Sequence, residues 1–406
     1  MRGHNYSYQC FFVDRFNWLR YGFIDLNAAV LGWREKGAQG PVPEIGPQRK
    51  VALEGVPGGS SEQAVEKAVR NAAENATDFS WLNKGDRVLV KPACNSAQKY
   101  PATTSPAGIR AMVKLLKDKG AGKVMVSDMA GIEHVRLTPD TLCGSTRECM
   151  KKNGMAQAAE SAGAELFFPE ESGWDAFFED GPVSGSHWKN GIYLPKILKE
   201  IEHVVLMPRL SRHPLGGATL GLKAAVGYIR FDSRLEYHRD ASSFFEKHTE
   251  INSTPSLQDR LRLTLSVATK AQTTFGPDEG FALEPELGLV FGSESIVAHD
   301  LIAMAWLNHC RESTPESEKT GMRDPYSTNT SVISILNGGL VFLLGGIAEA
   351  IKTETLKKFD TDNIYNDPTL HRAFEIWGGA PSIELTDGYG TVPEDIKKDL
   401  QKRIVL

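Results

Sequence analysis

Cysteine is scarce in this sequence, with only Cys10, Cys94, Cys143, Cys149 and Cys310 present. No four of them are grouped as a ferredoxin-type iron–sulfur cluster requires, so a bound cluster is not expected. Cys143 and Cys149 lack the spacing of a zinc-binding pair. An odd cysteine count without a secretory leader pattern points to reduced thiols in a cytoplasmic protein. Long apolar runs are scarce too. The most apolar stretch, residues 333–351, is interrupted by Ser334, Asn337, Gly338, Gly339, Gly345 and Gly346. It falls short of the roughly 20 mostly apolar residues of a membrane span and reads as a buried strand or helix beside tight turns. Positive charge is not in excess. A formal net charge of -5 argues against a general nucleic-acid binder but leaves room for a local cationic pocket. Neither a GxxxxGK[ST] loop nor a GxGxxG after a strand is present, so no P-loop and no dinucleotide fold of the usual kind is expected.

What is there suits a globular protein: 406 residues, 41% hydrophobic, can fill a sizeable core over two or three domains. Residues 1–48 are rich in aromatics such as Phe11, Phe12, Trp18 and Trp33. They read as an extension able to pack on the body or on a second subunit, a route to a homo-oligomer. Residues 49–310 alternate strand and helix patterns. "RKVALEGV", "DRVLVKPACN" and "KVMVSDMAG" are strands. Between the last two lies a helix that Ser105 can cap and Pro106 can open. "HVVLMPRL", "RLTLSVATKA" and "LGLVFGSES" are further strands, and "SIVAHDLIAMAWLNH" is a helix. The expected fold class is therefore α/β, a layered and mostly parallel sheet with flanking helices in two lobes. Residues 311–406 read as a C-terminal α/β segment that packs on or completes the core.

In such sheets, ligands gather at the carboxyl ends of strands. One strand ends with Lys91, Cys94 and Asn95, and the next with Asp128, followed by Glu133, His134 and Arg136. The richest stretch is "HVVLMPRLSRHPLGGATLGLKAAVGYI". Here Arg209, Arg212, His213 and Lys223 concentrate positive charge around Gly216, Gly217 and Gly221. Cations suit a phosphate or carboxylate, and glycines let a backbone approach it. "RFDSRLEYHRD" adds His238, which reads either as a metal ligand or as part of a solvated polar turn. The expected partner is thus a small anionic molecule, not a nucleic acid or a membrane.

The stretches "VLVKPACN…ATTSPAGIRAMVKLLKDKGAGKVMVSD", "VVLMPRLSRHPLGGATLGLKAAVG" and "LVFGSESIVAHDLIA" together resemble the "domain of unknown function 362" family. Family members often read Pro-Lys-x-Lys-Thr-His and then Leu-Lys-Asn. This chain keeps Pro208, His213, Leu222, Lys223 and Gly227 and departs at Arg209, Ser211, Arg212 and Ala224. Many members carry a ferredoxin-like module, which this chain lacks. The same region more distantly resembles the nickel-pincer lactate racemase superfamily. That resemblance implies a pyridinium-type mononucleotide tethered by Lys223, nickel on His238, and proton exchange by His134 and His213. Lys91, Pro92 and Cys94 stand where that superfamily has Asp-x-Thr-Arg, and Leu222 replaces its arginine. The functional expectation is an enzyme, isomerase or oxidoreductase, on a small anion, with racemase-like proton and hydride transfer. The alternatives are a non-catalytic carrier of such an anion or a metal cofactor, and a redox partner protein. In residue terms, His134 and His213 are the catalytic candidates. Lys223, Lys91, Asn95, Arg209, Arg212, Gly216 and Gly217 are the candidates for cofactor binding, and His238 for metal.

Overall fold

Alternation along short apolar strands builds the middle of the molecule. The computed structural model describes residues 43–405 except 277, 321–323, 325–329 and 358–362. Most of the expected aromatic extension therefore lies outside the described residues. In chain order come β1 (Ile45–Pro57), α1 (Glu62–Ala76), β2 (Arg87–Pro92), α2 (Pro106–Asp118) and β3 (Lys123–Ser127). Next are α3 (Thr146–Asn153), α4 (Met155–Ser161), β4 (Glu165–Phe167) and β5 (His203–Met207). A hairpin of β6 (Ser211–His213) and β7 (Gly217–Thr219) leads to α5 (Gly221–Ala224), α6 (Phe231–Arg239) and α7 (Phe244–Ile251). The chain then forms β8 (Leu261–Ala268), β9 (Leu287–Ser293), α8 (Ile296–Glu312) and α9 (Thr330–Gly345). It closes with α10 (Pro368–Trp377), β10 (Ala380–Thr386) and α11 (Glu394–Arg403).

One eight-stranded sheet runs β10-β1-β9-β8-β5-β2-β3-β4. It is mostly parallel, as expected. The departure is β9, antiparallel to both β1 and β8. Its link to β8 holds only the short pair Ala271–Gln272 and Ala282–Leu283, with no crossover helix to return the chain to the same direction. Successive residues of a strand point to opposite faces. Val88, Val90, Val205 and Met207 therefore join the core under α1 to α4, while Leu89 and Val204 meet the opposite layer. Ser105 caps α2 by accepting from the Gly108 N–H at 3.3 Å, and Pro106 occupies its first turn.

The order of connections matters for function. From β2 the chain steps outward through β3 to β4, then returns to place β5 on the other side of β2. The direction of winding thus reverses between β2 and β5, and a crevice opens beyond their carboxyl ends. A smaller lobe covers that crevice. It is built by α6, α7 and α9 around apolar groups that include Phe231, Leu340, Tyr237, Phe244 and Ile333. The stretch expected as a buried strand or helix beside tight turns falls mainly in α9, which is buried on one side only. Ile333, Asn337, Leu340 and Val341 face inward, whereas Ile335 and Phe342 are exposed. Among the described residues, no helix is long and apolar enough to cross a membrane.

Candidate functional site

The crevice begins with a buried ion pair. Alternation on β2 gives Lys91 the same face as Leu89, so its chain points under the small lobe. Its Nζ lies 2.9 Å from Asp128 Oδ1, donates to the Ala224 carbonyl at 2.6 Å, and sits 5.3 Å above the Tyr228 ring. Asp128 also accepts from the Cys94 and Met129 N–H groups at 2.6 and 2.9 Å. One carboxylate thereby ties together the loops after β2 and β3, and through Lys91 the turn at residues 224–227. Burial draws the Lys91 amine down from its ordinary value, opposed by Asp128. Gly227 packs against this pair. A Cβ there would lie 2.0 Å from Asp128 Oδ1 and 2.5 Å from Lys91 Nζ. Gly227→Ala should therefore destabilise the protein by about 3 kcal/mol, the upper range for overpacking. Gly338→Ala, in a helix with open space around it, should be neutral or stabilising by up to about 1 kcal/mol. Urea midpoints of the two variants check both values.

Lys91, Asn95, Arg209, His213, Lys223 and His238 line a single cavity of about 150 Å³ at this switch point. A larger cavity of about 630 Å³, beside Lys50, Ser295 and Trp377, lies at the amino edge of the sheet, away from these groups. Not every expected residue faces the site. Arg212 follows the period of β6 to the side opposite His213, and its guanidinium reaches Asn308 and, at 3.6 Å, Met304 Sδ on α8. His134 is absent from the cavity wall, which Glu133 reaches instead. The expected glycine-rich turn is a tight hairpin, in which Gly217 pairs with His213 and has φ +66°. Gly216 lies against Lys223, where a Cβ would come 3.0 Å from Cε.

The two imidazoles of the cavity hold opposite tautomers. His213 Nδ1 accepts from the N–H groups of Leu215 and Gly216 at 3.1 and 3.2 Å, so the ring proton resides on Nε2. For His238 the sign is reversed. Asn337 Nδ2 donates to the His238 carbonyl at 2.7 Å, so Asn337 Oδ1, 3.1 Å from Nδ1, must accept the ring proton. His238 Nε2 keeps its lone pair. His238 is also not in a solvated turn but buried in α6. Burial pushes His238 down to about 4, with Lys223 and Arg234 adding to the effect. Burial and Lys223 hold His213 well below its usual value. Asn337 is a site residue that sequence reasoning does not single out; its signal is the one side-chain amide of α9.

Lys223 has no hydrogen-bond or ion-pair partner among the described residues, and burial together with Arg209, Lys91 and Arg234 pushes it down to about 7. Arg234 spends its donors on backbone carbonyls: Ile229 at 3.0 Å, Met129 at 2.9 Å, Gly227 at 3.2 Å, and Ala130. Among the described residues no carboxylate pairs with it directly, and Asp128 and Glu170 act on it from a distance. Fixed positive charge in a half-closed pocket favours an anion.

Acid should unfold this arrangement. His213, His238 and His248 all have folded values below their ordinary 6.5. The unfolded chain therefore binds more protons, and the stability present above about pH 6.5 is lost as pH falls towards about 4. For His238 alone, with a folded value of about 4, the loss is about 3 kcal/mol. Denaturant titrations at pH 7.5, 6 and 5 should show this fall, and His238→Gln should flatten it.

The nickel-pincer nucleotide implied by the distant resemblance finds matching donors here, an amine at Lys223 and a lone pair on His238. It does not find the space. About 150 Å³ is well below the roughly 300 Å³ at which pockets for larger organic ligands begin.

Comparison with known proteins gives the following. The family model described as "Domain of unknown function (DUF362)" matches residues 88–305, more than half of the chain. No curated protein matches. Among solved structures, the lactate racemase apoprotein from Thermoanaerobacterium thermosaccharolyticum is 15% identical, with a TM-score of 0.39 over 62% of this chain and 54% of that one. A structural-genomics target from Thermotoga maritima is 12% identical, with a TM-score of 0.35 over 62% of this chain and 58% of that one. This chain thus spans little more than half of either neighbour, and likenesses this distant say nothing about substrate.

Proposed function

The chain belongs to the domain of unknown function 362 family, and from that premise we propose that it is an enzyme moving a proton on a small anionic metabolite. The observation that carries this reading is the pair of imidazoles in opposite tautomers that line a cationic cavity at the sheet's switch point. Arg209 and protonated Lys223 hold the carboxylate or phosphate. His238 Nε2 takes a proton from the carbon or hydroxyl beside it. His213 Nε2–H donates to the oxygen on which negative charge develops. A bound anion raises the proton affinity of His238, which offsets the desolvation that depresses it in the free protein. Return of that proton by His238, to the adjoining carbon or to the other face of the carbanion once it has turned in the cavity, gives a tautomerase- or epimerase-like isomerisation. The hydride limb of the expected chemistry needs a redox cofactor larger than this cavity.

The test is solvent exchange. Small 2-hydroxy, 2-oxo and phosphorylated acids are incubated with the protein in D2O and followed by proton NMR. Loss of a carbon-bound proton signal supports the reading. Binding of such acids without exchange into any of them contradicts it and leaves a non-catalytic carrier of the same class of anion.

A further inference from the structure

One cluster has no part in that chemistry. Glu133, His134 and Asp278 each offer a ligand atom, and the three atoms lie within 4.8 Å of one another. They come from separate stretches, the loop after β3 and the connection between β8 and β9. Gly131 seats the first loop: its N–H donates to the Asn95 carbonyl at 2.8 Å, and a Cβ there would lie 2.7 Å from Asn95 Oδ1. Asn95 Nδ2 in turn donates to Asp278 Oδ1 at 3.0 Å, which fixes that carboxylate. Its other oxygen stands 3.6 Å from His134 Nε2. That separation is the length of an ion pair between the imidazole and the carboxylate. It is close to the roughly 3.4 Å between two ligands that each sit about 2.1 Å from a tetrahedral ion.

We propose that Glu133, His134 and Asp278 bind one divalent transition-metal ion of the zinc or manganese class at the mouth of the cavity. An imidazole with two carboxylates is a donor set such ions favour over calcium or copper(I). Three protein ligands leave coordination positions open. Glu133 also lines the anion cavity, so the ion stands beside the bound anion. The ion offsets the two carboxylates, and an anion beside it offsets Arg209 and Lys223. Metal and anion therefore tighten each other's binding, reciprocally. In this account His134 is a ligand and not an acid or base. The inference rests on these three side chains and is independent of the proton-transfer reading.

The full chain, stripped with a chelator, is titrated with Zn²⁺ and separately with Co²⁺, with and without inorganic phosphate. The expected result is one ion per chain, held at least about tenfold more weakly by Glu133→Gln and Asp278→Asn and severalfold more tightly with phosphate. Bound Co²⁺ should show visible bands with no thiolate charge-transfer band, a readout of the unaltered protein that survives any folding defect in the variants. No stoichiometric uptake, a thiolate band, or undiminished uptake by both folded variants would overturn the proposal.

Discussion

Asp128→Ala should cost about 3–5 kcal/mol of folding stability, the scale of breaking one side of a buried ion pair. The side chains of Lys91 and Asp128 are 1% and 4% exposed, so neither recovers its hydration when the other is removed. The variant leaves Lys91 Nζ with the Ala224 carbonyl and the face of the Tyr228 ring, and deprives the Cys94 and Met129 N–H groups of their acceptor. An unsatisfied buried donor costs about 1–3 kcal/mol, and these losses overlap because they share one carboxylate. The paired change Lys91→Met with Asp128→Ala should recover much of the loss, because the uncompensated charge goes with the lysine. Equilibrium unfolding in urea checks the series. A loss below about 1 kcal/mol for Asp128→Ala would mean that the three loops do not depend on this pair.

The second large effect concerns the imidazoles. His238→Gln should reduce solvent exchange into substrate by about 10²–10⁴-fold, the usual contribution of a general base. Glutamine keeps a polar group but supplies no basic nitrogen at Nε2. His213→Gln should cost far less, about tenfold, because a glutamine amide can still donate where His213 Nε2–H does, whereas His213→Leu should approach the loss at His238. Asn337→Leu removes the acceptor that fixes the His238 ring and should lower exchange while leaving anion binding near normal. Exchange rates and substrate affinities for the four variants separate these roles. Equal losses for His213→Gln and His238→Gln would contradict the assignment of donor and base.

The legibility of these features followed the range of the interactions behind them. Strands β2, β3, β5 and β8 were plain because each is a short apolar run closed by polar residues, and Ser105 with Pro106 marked the start of α2. The same locality marks Lys91, Asn95, Arg209, His213 and Lys223 at strand ends and turns, and these meet His238, which lies in α6, in one cavity. Arg212 was misplaced because charge composition ignores the period-two alternation that turns it towards α8. The direction of β9 is not legible in the sequence, because an apolar strand reads alike in either direction. Asn337 stands 99 residues from the histidine it orients, and Asp278 lies far in sequence from His134. No local pattern reports such meetings, which are set by how the small lobe and the connection between β8 and β9 fold back over the sheet.

The central claim is that Lys223 and its neighbours form a seat for a small anion, and calorimetric titration with sulfate between pH 6.5 and 9 tests it most directly. Sulfate keeps its charge over this range, so a change in affinity reports on the protein. With Lys223 titrating at about 7, affinity should be highest at the acid end and weaken by up to about tenfold per pH unit above it, because the neutral amine must regain a proton to bind. Lys223→Met should bind more weakly throughout and show little dependence on pH. Sulfate binding that is equal in the two proteins, or flat with pH in the unaltered chain, would show that the anion does not sit where these cations converge.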